Sequence, residues 1–398
     1  MQNPISLYSA KRRLLLRASA TGVLGMFLGG KQAFGHPNHP PQEAAAQAVG
    51  HSPRRGLIDL HSHWFSPRTI ELLSARSTPP RFTTGADGQL RLQRPGASAE
   101  QGFPIGSQWF DIDARIAHLD TWGVRHQLIS WPTTMGFDPV LSAAESTPLW
   151  RAFNDDLAVL VRRHPTRFSG VATLSSSDIA WSVRELERAH DELGFIGGVL
   201  PVNGFASLEG AERFRPLFEV AQRRRSHIYL HTGYAHPTVP GQPPQHQHKD
   251  TAAIRGTLDT SWSFASAAIT LAFSDFLRPY PDVTVQIAML GGSGAIALVA
   301  EQAALNAERL GIGNVREHFR QIWFDTGAAG RGAQGITLAV RVLGVDRIVF
   351  GTDYAPAASV EPVIKEIEHA ILTENERERI FGGNARELLA AHGVKLAG

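Results

Sequence analysis

From Leu57 onward, eight short β-branched or apolar runs are separated by longer segments whose apolar residues recur every three or four positions. The runs are Leu57–His61, His126–Ser130, Phe168–Leu174, Ile196–Leu200, His227–His231, Val283–Leu290, Ile322–Asp325 and Arg347–Phe350. A near-continuous apolar run of this length suits a parallel strand buried on both faces. The intervening segments carry the helical period: in Thr147–Arg163, Leu149, Phe153, Leu157 and Leu160 fall on one stripe. Gly123, His164-Pro165 and Gly194 punctuate the joins. Eight strands each followed by a helix predict an α/β chain folded as a (β/α)8 TIM barrel over residues 56–398, with the active site where the strands end. A doubly wound sheet is the rival. Residues 64–112 and 233–250 interrupt the alternation with Pro, Gly, Gln and His, so a loop-rich insertion is expected after strand one and a long loop after strand five.

The 398-residue chain is 43% hydrophobic and 19% charged, enough to bury a large core. It has no cysteine, which excludes disulfides, iron–sulfur clusters, zinc ribbons and thiol nucleophiles together. Any metal must be held by Asp, Glu or some of the 17 histidines. The net charge of +2 is unevenly placed, because residues 1–35 carry five cations and no acid, leaving −3 for the rest. No nucleic-acid partner follows from that balance.

Residues 1–35 read as an address. Lys11-Arg12-Arg13 precedes Leu14-Leu15-Leu16-Arg17 and the apolar run Ala18 to Gly30, which is short for a membrane span. The order resembles a twin-arginine export signal. It predicts a bacterial protein sent to the periplasm, or otherwise outside the cytoplasm, by the twin-arginine machinery. Residues 36–55, rich in His, Pro, Ala and Gln, read as a linker.

The chemistry gathers at strand ends. In Asp59-Leu60-His61-Ser62-His63 the two histidines are two residues apart, so an extended backbone points both imidazoles the same way. Strand five ends at His231, and strand eight runs into Gly351-Thr352-Asp353. His61, His63, His231 and Asp353 could therefore meet at one mouth, a donor set suited to one divalent ion with room for water and substrate. Asp353 is expected either to ligate the ion or to move a proton beside it. Asp325, ending strand seven, could orient a ligand histidine or cap the next segment. Asp59 reads as a structural hydrogen-bonding group at the base of strand one.

Those motifs resemble the amidohydrolase superfamily. Asn154-Asp155, His164-Pro165-Thr166-Arg167-Phe168, Gly194-Phe195-Ile196-Gly197-Gly198-Val199, Phe214-Arg215-Pro216-Leu217-Phe218 and Ile380-Phe381-Gly382-Gly383-Asn384-Ala385 are similar to the branch containing aminocarboxymuconate-semialdehyde decarboxylase and related aromatic-acid decarboxylases. The resemblance spans roughly residues 56–392. It implies a metal-dependent carboxy-lyase with one ion per chain, zinc first and manganese or iron as alternatives. The substrate would be a small unsaturated or aromatic carboxylic acid, and a homodimer is compatible. Metal-dependent hydrolysis of an amide, ester or lactone is the alternative reaction. The five lysines, Lys11, Lys31, Lys249, Lys365 and Lys395, all lie away from strand ends, and strand four ends in Leu200-Pro201. A second metal bridged by a carboxylated lysine is thereby excluded.

One position departs from the branch, where strand six ends in a histidine that helps activate the metal-bound water. Here Leu290 is expected in its place, in Met289-Leu290-Gly291-Gly292. A leucine carries no proton, which also admits a catalytically silent protein that kept the pocket. His236, His246 and His248 follow strand five and read as a solvated loop. Gly292-Ser293-Gly294-Ala295-Ile296-Ala297 matches a dinucleotide fingerprint, but such a site needs an acid at the end of a following strand, and Glu301–Gly311 is helical in pattern instead. The same glycines around Ser293, with Asp353 and His369, approach a hydrolase triad but leave the His-x-His pair unexplained.

Overall fold

A computed structural model describes residues 56–95, 102–245 and 250–396. The segment read as an export signal, the stretch read as a linker, His246 and His248 lie outside the described residues.

Eight barrel strands follow the expected order. They are β1 (Leu57–His63), β5 (Val124–Ser130), a third formed by β6 (Phe168–Gly170) and β7 (Ala172–Thr173), β8 (Gly197–Pro201), β9 (His227–His231), β10 (Thr284–Ile287), β11 (Ile322–Asp325) and β12 (Ile348–Val349). Every pairing between neighbours is parallel: β1 with β5, β5 with β6, β7 with β8, and so on to β11 with β12. The ladder divides at Val171, yet Val171 N still donates to Ile129 O and Ile196 N to Gly170 O. At the other seam Leu60 N donates to Phe350 O (2.9 Å) and Asp353 N to His61 O (2.8 Å). These bonds carry the strand-to-strand contacts round from β12 to β1, bringing the start and end of the fold together at the predicted mouth.

Gly351 makes that seam possible. A Cβ there would lie 2.7 Å from the His61 Cβ and 2.9 Å from that of Asp325, closer than side chains tolerate.

The helices pack around the strands as amphipathic elements. Ala143–Arg163 begins four residues earlier than the periodicity indicates, because Ser142 and Glu145 form a capping box. Its Phe153 and Leu157 are fully buried against the barrel. The segment after strand one is more regular than expected. It contains a helix (Pro67–Ser74) and a small antiparallel sheet of β2 (Arg81–Thr84), β3 (Leu90–Gln93) and β4 (Phe103–Pro104). Among the described residues no helix is long and apolar enough to cross a membrane.

Two interior histidines make the barrel acid-sensitive. His227 bonds Thr284 Oγ1 and Gln286 Oε1, and burial holds its pKa down at about 3. His126 bonds Thr166 O and Ser169 Oγ, and burial holds it at about 4. Below pH 6.5 the unfolded chain takes up these protons and the native chain does not, so stability falls as pH falls. Between about pH 6.5 and 4 each should remove about 1.4 kcal/mol per pH unit. Denaturant titrations of His227→Gln against the native chain at pH 7 and pH 4.5 should show the variant losing less stability on acidification.

Candidate metal centre

The four expected ligands converge. One donor atom from each of His61, His63, His231 and Asp353 lies within 4.8 Å of every other, and all four residues are buried. The pleat of β1 aims His61 and His63 into the mouth, β9 delivers His231 from across it, and the turn after β12 delivers Asp353. Asp353 sits at φ 58°, a left-handed conformation unusual outside glycine, held by Asp353 N on His61 O.

The outer hydrogen bonds decide which nitrogen of each ring faces inward. Thr133 Oγ1 donates to Thr232 O (2.7 Å), so it can only accept from His231 Nδ1 (3.0 Å). His231 Nδ1 therefore carries the proton and Nε2 turns its lone pair inward. His63 Nδ1 lies against Ser130 O (3.3 Å) and Ser130 Oγ (3.1 Å), which likewise leaves Nε2 inward. His61 Nδ1 is 2.9 Å from Asp325 Oδ1, a carboxylate–histidine pair that orients the ring and raises its basicity. Asp325 is in turn held by Met289 N (3.1 Å) on Oδ1 and Gln286 Nε2 (2.7 Å) on Oδ2. Of the two roles expected for Asp325, the geometry realises the orientation of a ligand.

Two lone pairs then face each other across 3.1 Å, His63 Nε2 and His231 Nε2. Asp353 Oδ1 lies 3.2 Å from His61 Nε2 and 3.1 Å from His63 Nε2. Neither Asp353 Oδ1 nor His61 Nε2 has a hydrogen-bond partner of acceptable geometry, although both are buried. Four inward electron-pair donors with their outer sides committed fit a divalent cation and little else.

The titration behaviour has the same cause. Burial opposes charge on His61, but Asp325 and Asp353 overcome it and hold its pKa up at about 10. Burial lowers His63 against the pull of Asp353, and lowers His231 further with help from the neighbouring imidazoles. Burial pushes the Asp353 carboxyl up, but His61 and His63 win and keep it below its ordinary value. A proton and a cation thus compete for one negative seat.

Asp59 has the structural role expected of it. It accepts from His61 N, Thr352 N, Thr352 Oγ1 and Gln127 Nε2, tying β1 to the turn before Asp353. Burial lifts its carboxyl to about 6 despite these bonds. The fully buried Arg115, which sequence reasoning missed, reaches His63 O, Gln108 O (3.0 Å), Gln127 Oε1 (3.1 Å) and Tyr354 O (3.4 Å). It clamps the backbone beside two ligands.

Strand six, expected to run from Val283 to Leu290, is shorter in the structure. β10 stops at Ile287, and Met289, Leu290, Gly291 and Gly292 all turn left-handed. The Met289 side chain reaches Thr232 and Arg331: its Sδ lies 3.8 Å from Thr232 Oγ1 and 3.9 Å from Arg331 Nη1. Leu290 is fully buried. The chemical consequence is unchanged, since a thioether carries no proton either. His236 bonds Thr238 Oγ1 (2.8 Å), as suits a loop histidine. The triad around Ser293 is not assembled. Ser293 Oγ accepts from Arg331, Asp353 is engaged with His61 and His63, and His369 is exposed at the end of helix Glu361–His369.

A family model described as amidohydrolase matches residues 58–390. A gamma-resorcylate decarboxylase of Polaromonas sp. (strain JS666) is 26% identical over 335 residues, covering 76% of this chain and 98% of that protein. A 2-amino-3-carboxymuconate-6-semialdehyde decarboxylase of Dictyostelium discoideum is 25% identical over 295 residues, covering 72% and 78%. A dihydroxybenzoic acid decarboxylase from Polaromonas sp. JS666, solved with manganese and the inhibitor 2-nitroresorcinol, superposes with a TM-score of 0.59 at 20% identity, covering 85% and 97%.

Proposed function

Because this chain belongs to the amidohydrolase family, we propose that it is a metal-dependent decarboxylase of small aromatic carboxylic acids. The observation that carries the proposal is the mouth itself: three imidazoles and one carboxylate gathered on one cation seat. Hydrolysis needs a water oriented and deprotonated for attack. Decarboxylation needs the acid held and a proton delivered to the carbon that loses carbon dioxide. Curated relatives named as decarboxylases support the same reading.

His61, His63 and His231 would hold the ion with Asp353. Bound there, a divalent ion supplies Lewis-acid charge for the oxygens of the substrate. Three imidazoles and a carboxylate suit zinc as well as manganese, the ion named with the solved relative. Asp353, wedged between His61 and His63, is the acid–base group of the mouth and would move the proton. Asp325 and Gln286 keep His61 in register, and Thr133 does the same for His231.

The test is a panel of carboxyl-¹³C aromatic acids, including 2,6-dihydroxybenzoate, given to protein loaded with manganese or zinc. Labelled carbon dioxide and the matching phenol are expected. Ring or ester opening with uptake of ¹⁸O from water, without carbon dioxide, would replace this reading with hydrolysis.

We also propose, from residues 1–35 alone, that the chain is exported by the twin-arginine route. Replacing Arg12 and Arg13 with Lys should leave precursor in the cytoplasm on fractionation. Unchanged export of the double variant would contradict this.

A further inference from the structure

We propose that Arg331 is the carboxylate anchor of this mouth, a specificity-determining residue on the loop after β11. The inference rests on the decarboxylase reading above and adds a residue that neither the sequence motifs nor the ligand set identifies. Its loop is fastened from below, because Gly330 N and Gly332 N both donate to the Glu366 carboxylate. The guanidinium is thus carried inward while Glu366 is committed to the loop backbone.

The donors of Arg331 are poorly matched by protein acceptors. Nη1 donates to Ser293 Oγ and lies 3.9 Å from Met289 Sδ, a weak acceptor. Nε is buried without a partner. Among the described residues no carboxylate lies within ion-pair distance of it. A guanidinium has five N–H donors in a fork that fits a carboxylate bidentately. The partly buried side chain thus keeps a buried Nε–H without an acceptor, which is costly unless something arrives to accept it.

Its place is the wall of the metal mouth. The Met289 thioether that touches Arg331 also touches Thr232, the residue after the ligand His231, and Met289 N bonds Asp325. Asp353 and Asp325 are the acidic groups whose fields stabilise the guanidinium, together with Glu366. Both aspartates are already engaged by His61 or His63.

A charge count gives the ligand class. A divalent ion balances Asp325 and Asp353. Arg331 then adds one positive charge at the rim, which a monoanionic carboxylate would neutralise. Uncharged phenols and dianions fit that balance worse.

The test is calorimetric titration of manganese-loaded native protein, Arg331→Gln and Arg331→Lys with 2,6-dihydroxybenzoate, with the aliphatic acid crotonate and with uncharged resorcinol. Metal content is measured on the same samples. Arg331→Gln should weaken acid binding about 30-fold or more while leaving resorcinol binding and metal content near native. Arg331→Lys should recover part of the loss, because a point charge replaces the fork. Ser293→Ala should weaken the acids a few-fold by freeing the guanidinium, and it serves as the deciding variant if Arg331→Gln is insoluble. Equal acid binding by Arg331→Gln with metal retained would overturn the anchor. So would equal weakening of acids and resorcinol, or a native protein that binds no carboxylate. Arg331-dependent binding of crotonate without binding of the aromatic acid would uphold the anchor and overturn the aromatic reading.

Discussion

Asp353→Asn is expected to lower turnover of a verified aromatic acid by about 10³-fold or more, with at least part of the metal still bound. Removal of a positioned acid–base group alone costs about 10²–10⁴. Asp353 is the one such group set between two ligand imidazoles, at 3.2 Å from His61 and 3.1 Å from His63. Asn keeps the volume and one oxygen donor, and three imidazoles remain, so metal loss should be partial. Single-turnover rates at saturating metal separate the two effects. His236→Ala should leave turnover near native, because His236 is a loop residue bonded to Thr238. Near-normal turnover by Asp353→Asn would move the proton chemistry to another group.

His63→Ala should abolish stable metal binding while leaving the chain folded. His63 Nε2 contacts both His231 Nε2 and Asp353 Oδ1, so its loss opens the centre of the donor set. The loss should exceed the about 10–100-fold that an outer-shell partner costs. Gln286→Ala supplies that comparison, since Gln286 touches Asp325 and Leu60 O but no ligand ring. The fold should survive because the His63 ring makes polar contacts and the neighbouring Trp64 and Phe65 supply the apolar packing. Metal titration followed by competition with a chelator should rank native above Gln286→Ala, and Gln286→Ala above His63→Ala. Equal affinity of His63→Ala and the native chain would remove His63 from the ligand set.

What the residues announce and what they conceal divides along physical lines. The strands from Leu57 to Val349 were legible because parallel strands buried on both faces are written as apolar runs. β9 and β11 fall on their expected bounds. His61, His63, His231 and Asp353 were legible because strand ends fix where a side chain points. Strand six was misjudged because apolar character continues past Ile287 while the backbone has already turned left-handed at Met289. Periodicity does not report φ. The small sheet of β2, β3 and β4 was hidden by the prolines and glycines that separate its short strands. Thr133, Gln286, Arg115 and Arg331 carry no motif at all. Each acts through a contact 39 or more residues away in sequence, such as Thr133 with His231 or Arg115 with Tyr354. Such pairings exist only once the barrel closes.

The central claim is a single divalent ion held by four named side chains, and elemental analysis of purified protein after supplementation tests it most directly. One manganese or zinc ion per native chain is expected, falling to a small fraction in His63→Ala and in a His61→Ala/His231→Ala pair under the same dialysis. A native chain with no bound metal, or variants that retain a full equivalent, would contradict the account.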